Sequence, residues 1–178
     1  TLEIIGRDGM QGFYHGALAK QLVDGVRAEG GIWTEADLAG YQVKERAPIS
    51  AQYHDIRVVS AAPPSSGGVV LLEALNIRER FDLSKLSPVD RKHVVIEAMR
   101  RAYRDRADYL GDPDFVSMPI AHLVDKAYAA ELAKGIDLDH ATPSASLPPV
   151  TVDNDKKHTT HFSVIDADGN RVAATLSI

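Results

Sequence analysis

The sequence predicts an α+β fold, helix-rich over its first three-quarters and closed by a C-terminal β-hairpin. Three observations carry this. Apolar residues before position 135 recur at spacings of three and four behind recognisable cap residues. From Thr159 onward the pattern becomes a strict alternation, interrupted once by a turn containing Asp168-Gly169-Asn170. Between them, residues 135–158 carry Pro143, Pro148 and Pro149 among Ser, Thr, Asp and Lys, with little periodic hydrophobicity. That composition reads as an exposed or mobile linker.

The elements follow in order. Phe13, Leu18, Leu22, Val23 and Val26 predict a helix near 11–29 that stops before Gly30-Gly31. Thr34-Glu35-Ala36-Asp37 has the form of a capping box opening a short helix. Ile49–Tyr53 and Ile56–Ser60 flank His54-Asp55, which predicts a β-hairpin. Pro63-Pro64-Ser65-Ser66-Gly67-Gly68 then leads into a helix-forming apolar run from Val69 to Ile77. Ser87, Pro88 and Asp90 supply the N-cap, the proline at N1 and the acid at N3 of a long helix toward Tyr109. Gly111-Asp112-Pro113-Asp114 breaks it, and a further helix is expected near Asp125–Lys134.

Composition narrows the classes of function. Hydrophobic residues make up 44% and charged residues 25% of the 178, the balance of a globular domain with a real core. No apolar run reaches the ~18–20 residues of a membrane span. A formal charge of −5 argues against a nucleic-acid surface. The absence of cysteine excludes disulfides, thiol catalysis and thiolate metal sites. The chain starts without a methionine or a signal-like segment and stops in strand-like sequence, so it is expected to be a segment of a larger protein.

The last twenty residues carry the chemistry. A three-residue loop, Ala167-Asp168-Gly169, with Gly169 at positive φ, makes paired residue numbers sum to 336. Phe162 then faces Ala174, Val164 faces Val172 and Thr160 faces Leu176, giving a mostly apolar face. The other face pairs Thr159 with Ser177 and His161 with Thr175, with Cβ atoms of opposed residues about 4.5–5.5 Å apart. A two-residue Asp168-Gly169 turn would pair Thr159 with Ile178 and mix polar with apolar groups on each face, so the first register is preferred.

A hydroxyl needs a base to become a nucleophile, and a threonine that begins a chain can use its own α-amine. A linker ending at a strand-opening threonine suits a chain that cuts itself at His158–Thr159. Pattern alone leaves a second reading open, in which Thr159 and Thr160 are ordinary strand residues beside a loop.

The run Thr159-Thr160-His161-Phe162-Ser163-Val164-Ile165-Asp166, with Asp168-Gly169-Asn170 after it, resembles the start of the small subunit of the γ-glutamyltransferases. Phe13-Tyr14-His15-Gly16, Asp37-Leu38-Ala39-Gly40-Tyr41, Pro63 to Gly68 and Asp105 to Phe115 resemble signatures of the same family in the same order. The likeness covers essentially the whole chain. It implies a segment of an αββα N-terminal-nucleophile hydrolase sandwich, with no cofactor. Residues 1–134 would be the helical end of the large subunit, 135–158 the linker before the processing site, and 159–178 the first hairpin of the small subunit. The implied roles are Thr159 as nucleophile, His158 and Thr159 as processing site, Ser177 as the hydroxyl beside the nucleophile, and Thr175 as a supporting hydroxyl. His158 departs from the amide side chain the family most often has before the cut. Ser177 stands where threonine is frequent.

The resemblance implies transfer of a γ-glutamyl group from glutathione or a related donor to water, an amino acid or a peptide. It places further binding and oxyanion residues in the remainder of the two subunits, and points to a periplasmic or secreted setting that the residues leave open. Two rivals stand beside it: a cephalosporin or glutaryl acylase with the same nucleophile, and an unprocessed scaffold or binding relative.

Other clusters read as structure. Pro63 to Gly68 lacks the lysine of a phosphate loop and is expected to be a turn and helix cap. The histidines lack paired ligand spacing, and Asp105, Asp108, Asp112 and Asp114 do not follow a calcium loop, so no metal is expected. Arg100, Arg101, Arg104 and Arg106, balanced by nearby acids, are expected on a solvated helix face.

Overall fold

The computed structural model describes residues 1–147 and 159–177. The chain divides into two compact units, Thr1–Arg46 and Ala47–Ile178.

The first unit holds three helices: α1 (Leu2–Tyr14), α2 (Gly16–Ala28) and α3 (Glu35–Ala39). The single helix expected near 11–29 is therefore two. The chain leaves helical geometry at His15 (φ −134°, ψ 166°), and Gly16 sits at φ 73°, which separates them. Helix also begins earlier than the spacing predicts, at Leu2. Gly6, Gly9 and Gly12 weaken helix propensity there, and α1 is kinked at Gly9 (φ 59°, ψ −141°). Leu18, Ala19 and Val23 form the buried stripe of α2. The predicted capping box holds: Thr34 Oγ1 accepts from the Asp37 amide at 3.2 Å, and Asp37 Oδ2 accepts from the Thr34 amide at 2.7 Å.

The second unit is built around two helices, α4 (Gly67–Arg78) and α5 (Pro88–Tyr109). A hairpin of β1 (Ile49–Tyr53) and β2 (Ile56–Ser60) pairs as expected, Ile49 opposite Ser60 and Tyr53 opposite Ile56. It packs on α4, as do α5, α6 (Ile120–Leu123) and α7 (Lys126–Lys134). Surrounded this way, α4 is apolar on most sides, and Val69, Leu72 and Ile77 are buried. Gly68 allows the close approach: a Cβ there would lie 2.3 Å from the Ala61 carbonyl oxygen.

Ser87 caps α5, accepting from the Asp90 amide at 3.2 Å, with Pro88 in the first turn. Its buried stripe includes Val94, Ala98 and Ala102, and the small alanines let α4 and α7 pack closely. Ile77, Ala98, Ala129, Ala133 and Ile136 make one contiguous cluster. A fully buried isoleucine such as Ile77 contributes about 1.5–3 kcal/mol. The short helix α6 was not anticipated. Among the described residues, no helix is long and apolar enough to cross a membrane.

The expected solvated arginine face of α5 is corrected at Arg101, while Arg106 is exposed as expected. Glu97 and Arg101 are 1% and 6% exposed and paired, with Arg101 Nη1 2.5 Å from Glu97 Oε2. Arg101 also donates to the carbonyls of Gly135 at 2.6 Å and Leu132 at 3.1 Å, closing the end of α7. Glu97 further accepts from Thr142 Oγ1 and from Arg100 Nη1, both at 2.6 Å, while Arg100 reaches the Thr142 carbonyl at 2.8 Å. Burial pushes the Glu97 carboxyl up, but donors from Thr142, Arg101 and Arg100 outweigh it and leave it at about 2. Residues 136–142 are thus held against α5, and a single 3₁₀ turn, Ser144–Ser146, follows.

Candidate functional site

The closing hairpin consists of β3 (Thr159–Ile165) and β4 (Arg171–Ser177), an antiparallel pair in its own two-stranded sheet. Its register is the one the turn predicts: Thr159 opposite Ser177, Thr160 opposite Leu176, His161 opposite Thr175, Phe162 opposite Ala174 and Val164 opposite Val172.

The turn shows why. Gly169 lies at φ 84°, and its amide donates to the Asp166 carbonyl at 3.1 Å. The Asp166 amide donates to the Asn170 carbonyl at 3.1 Å, closing the three-residue loop. Asp166 Oδ1 accepts the Asp168 amide at 3.0 Å and the Asn170 amide at 2.8 Å, while Oδ2 accepts the Asn170 side-chain amide at 2.8 Å. These bonds, the Asn170 side-chain amide first, hold the Asp166 carboxyl below its ordinary range.

The register brings the hydroxyl residues together. Thr159 opens β3 and has Ser177 as its backbone partner across the pair. Beside them, His161 Nδ1 lies 2.8 Å from Thr175 Oγ1, and its Nε2 lies 3.3 Å from Ser163 Oγ. The His161 ring therefore bridges two hydroxyls on one face of the hairpin. The alternation places His161, Ser163 and Thr175 on that face, but the ring's bridging position was not anticipated. His158 lies outside the described residues.

The opposite face holds Phe162, Val164, Val172 and Leu176, and all four side chains are exposed. The hairpin is shaped by its backbone and turn rather than by burial.

Pro63 to Gly68 forms the expected turn, with Ser66 at the N-cap position of α4. Ser66 does not cap α4 with its side chain; its hydroxyl accepts from Arg106 Nε at 2.9 Å. Asp105, near the end of α5, is buried against Tyr128.

Residues 1–178 match the family model described as Gamma-glutamyltranspeptidase. The chain is 46% identical over its whole length to a glutathione hydrolase proenzyme of Pseudomonas sp. (strain A14), covering 31% of that protein. It is 38% identical, again over its whole length, to the acylase ACY 1 proenzyme of Pseudomonas sp. (strain SE83), covering 32% of it. The crystal structure of Helicobacter pylori gamma-glutamyltranspeptidase superimposes with a TM-score of 0.79 at 43% identity. That superposition covers 83% of this chain and 43% of the other. The chain thus spans about a third of the length of the curated relatives it matches.

Proposed function

Since the chain belongs to the gamma-glutamyltranspeptidase family, we propose that it carries the processing threonine of a self-cleaving γ-glutamyl transferase and hydrolase, with Thr159 as nucleophile. The observation that carries the reading is the hairpin register. It sets Thr159 at the start of β3 with Ser177 across the pair and Thr175 two residues along, held by His161.

In the first step the Thr159 hydroxyl attacks the carbonyl of His158. The peptide bond to the Thr159 nitrogen breaks as an ester to the Thr159 oxygen forms, and the nitrogen takes up a proton. Water then hydrolyses the ester, releasing the His158 carboxylate and leaving Thr159 with a free hydroxyl and a free α-amine. That amine supplies the base the hydroxyl lacked.

In turnover the Thr159 oxygen attacks the γ-carbonyl of a γ-glutamyl amide, and its proton passes through the α-amine to the leaving amine. A γ-glutamyl ester remains and is discharged to water, an amino acid or a peptide. The hydroxyl of Ser177 steadies the nucleophile, and Thr175 supports that end of the strand through His161. Residues 1–134 then belong to the large subunit, 135–158 to the segment before the cut, and 159–178 to the opening of the small subunit. The remaining binding groups come from the rest of both subunits.

A γ-glutamyl donor is favoured over a glutaryl one because the glutathione hydrolase relative is the more similar, 46% against 38%. The test is release of p-nitroaniline by the processed full-length protein from γ-glutamyl and glutaryl anilides. Faster release from the γ-glutamyl compound, absent in Thr159→Ala, is the expected result. Preference for the glutaryl compound would assign an acylase. Release from neither by a processed protein would overturn the enzymatic reading.

A further inference from the structure

The helical core encloses a carboxyl pair outside the closing hairpin. Glu73 on α4 is 1% exposed, and among the described residues neither of its carboxyl oxygens meets a hydrogen-bond donor. Asp105 on α5, also 1% exposed, lies beside it. Asp105 is held from α7, where the Tyr128 hydroxyl donates to Oδ2.

Among the described residues, the surrounding charges do not balance two carboxylates. From α5, Arg104 Nη1 stands 3.9 Å from Asp105 Oδ1, and Tyr109 acts on Tyr128 from the helix end. From α6, the His122 ring packs on Tyr128 with centroids 4.0 Å apart. On the β1–β2 side, the Tyr53 hydroxyl is taken by Arg78, and Arg57 bonds to Ser50 on the exposed face. One guanidinium thus faces two buried carboxyls. An unpartnered buried carboxylate is costly, whereas a protonated Glu73 gains a partner by donating its O–H to Asp105.

We propose that Glu73 and Asp105 share one proton in the folded protein, and that this proton is a catch between α4 and α5 that alkali releases. The proposal is independent of the chemistry at Thr159.

Burial first, and the neighbouring Asp105 charge second, hold the Glu73 carboxyl well above the usual carboxylate range. In the unfolded chain a glutamate titrates near ~4.3. Between that value and the raised one, the folded state holds a proton that the unfolded state has lost. Stability from the catch is therefore full at acid pH and declines as pH rises toward the raised value. One proton released on unfolding raises the unfolding constant about tenfold per pH unit.

The test uses the full-length protein and Glu73→Gln, which keeps the shape and offers Asp105 a donor that cannot titrate. Urea unfolding constants are compared at pH 6, 7 and 8, with hydrogen exchange of α4 peptides, corrected for intrinsic rates, as the local readout. The expected ratio of wild-type to variant constants grows by about a hundredfold from pH 6 to pH 8. Parallel pH profiles would overturn the proposal. Should Glu73→Gln fail to fold, Glu73→Met removes the same titrating carboxyl and is read the same way. Stabilisation of the wild type by millimolar calcium or magnesium chloride at pH 8, absent in the variant, would assign a metal ion to the pair and overturn the proton.

Discussion

Around α5, position is set by side chains: Glu97 alone gathers Arg100, Arg101 and Thr142, and every one of these contacts is wholly or partly buried. In β3 and β4, position is set by the backbone: each residue of β3 is exposed, and the register comes from a turn in which Gly169 and Asp166 do the folding. The candidate nucleophile lies in the second region. Its neighbours are therefore fixed by ladder and turn, and substitutions should act differently in the two places.

The largest effect on stability is expected at the buried pair. Arg101→Met strips donors from Glu97 and from the Gly135 and Leu132 carbonyls, and should cost about 3–5 kcal/mol in urea unfolding. A cost below ~1 kcal/mol would mean that α5 does not depend on this pair. The same carboxylate gives a pH signature. Its folded value of about 2 lies below the ordinary ~4.3. The stability it adds is therefore present above ~4.3 and lost as pH falls toward 2. Glu97→Gln should flatten that acid limb while leaving the slope above pH 6 unchanged.

On the hairpin, Ser177→Ala should leave the unfolding midpoint unchanged and slow γ-glutamyl turnover about tenfold or more, with Ser177→Thr retaining it. Equal rates in serine and alanine forms would remove Ser177 from the site. The smallest effect is expected at Gly169→Ala, about 1 kcal/mol, because an L side chain is strained at φ 84°. A larger fall in turnover than in stability would show that the register matters beyond the fold.

The regions also differ in how far they can be read from sequence. The hairpin was legible because a period of two and one glycine turn leave few registers, and only one sets Phe162 and Val164 opposite Ala174 and Val172 while His161 faces Thr175. Caps such as Ser87 and Thr34 were legible because their partners lie three residues on. The Glu97–Arg101 spacing was visible too, but burial was not. What buries the pair is Thr142 and Gly135, more than thirty residues away from Arg101 or Glu97. Glu73 and Asp105 meet across two helices for the same reason. The break at Gly16 was missed because Phe13 and Leu18 keep helical spacing across it.

Whether Thr159 is a latent nucleophile is read from the intact masses of the polypeptides formed by the full-length protein, beside Thr159→Ala. Two fragments are expected from the wild type, one beginning at Thr159, and a single uncut chain from the variant. A wild-type protein that stays folded and uncut over days would contradict it and leave a scaffold or binding protein in its place.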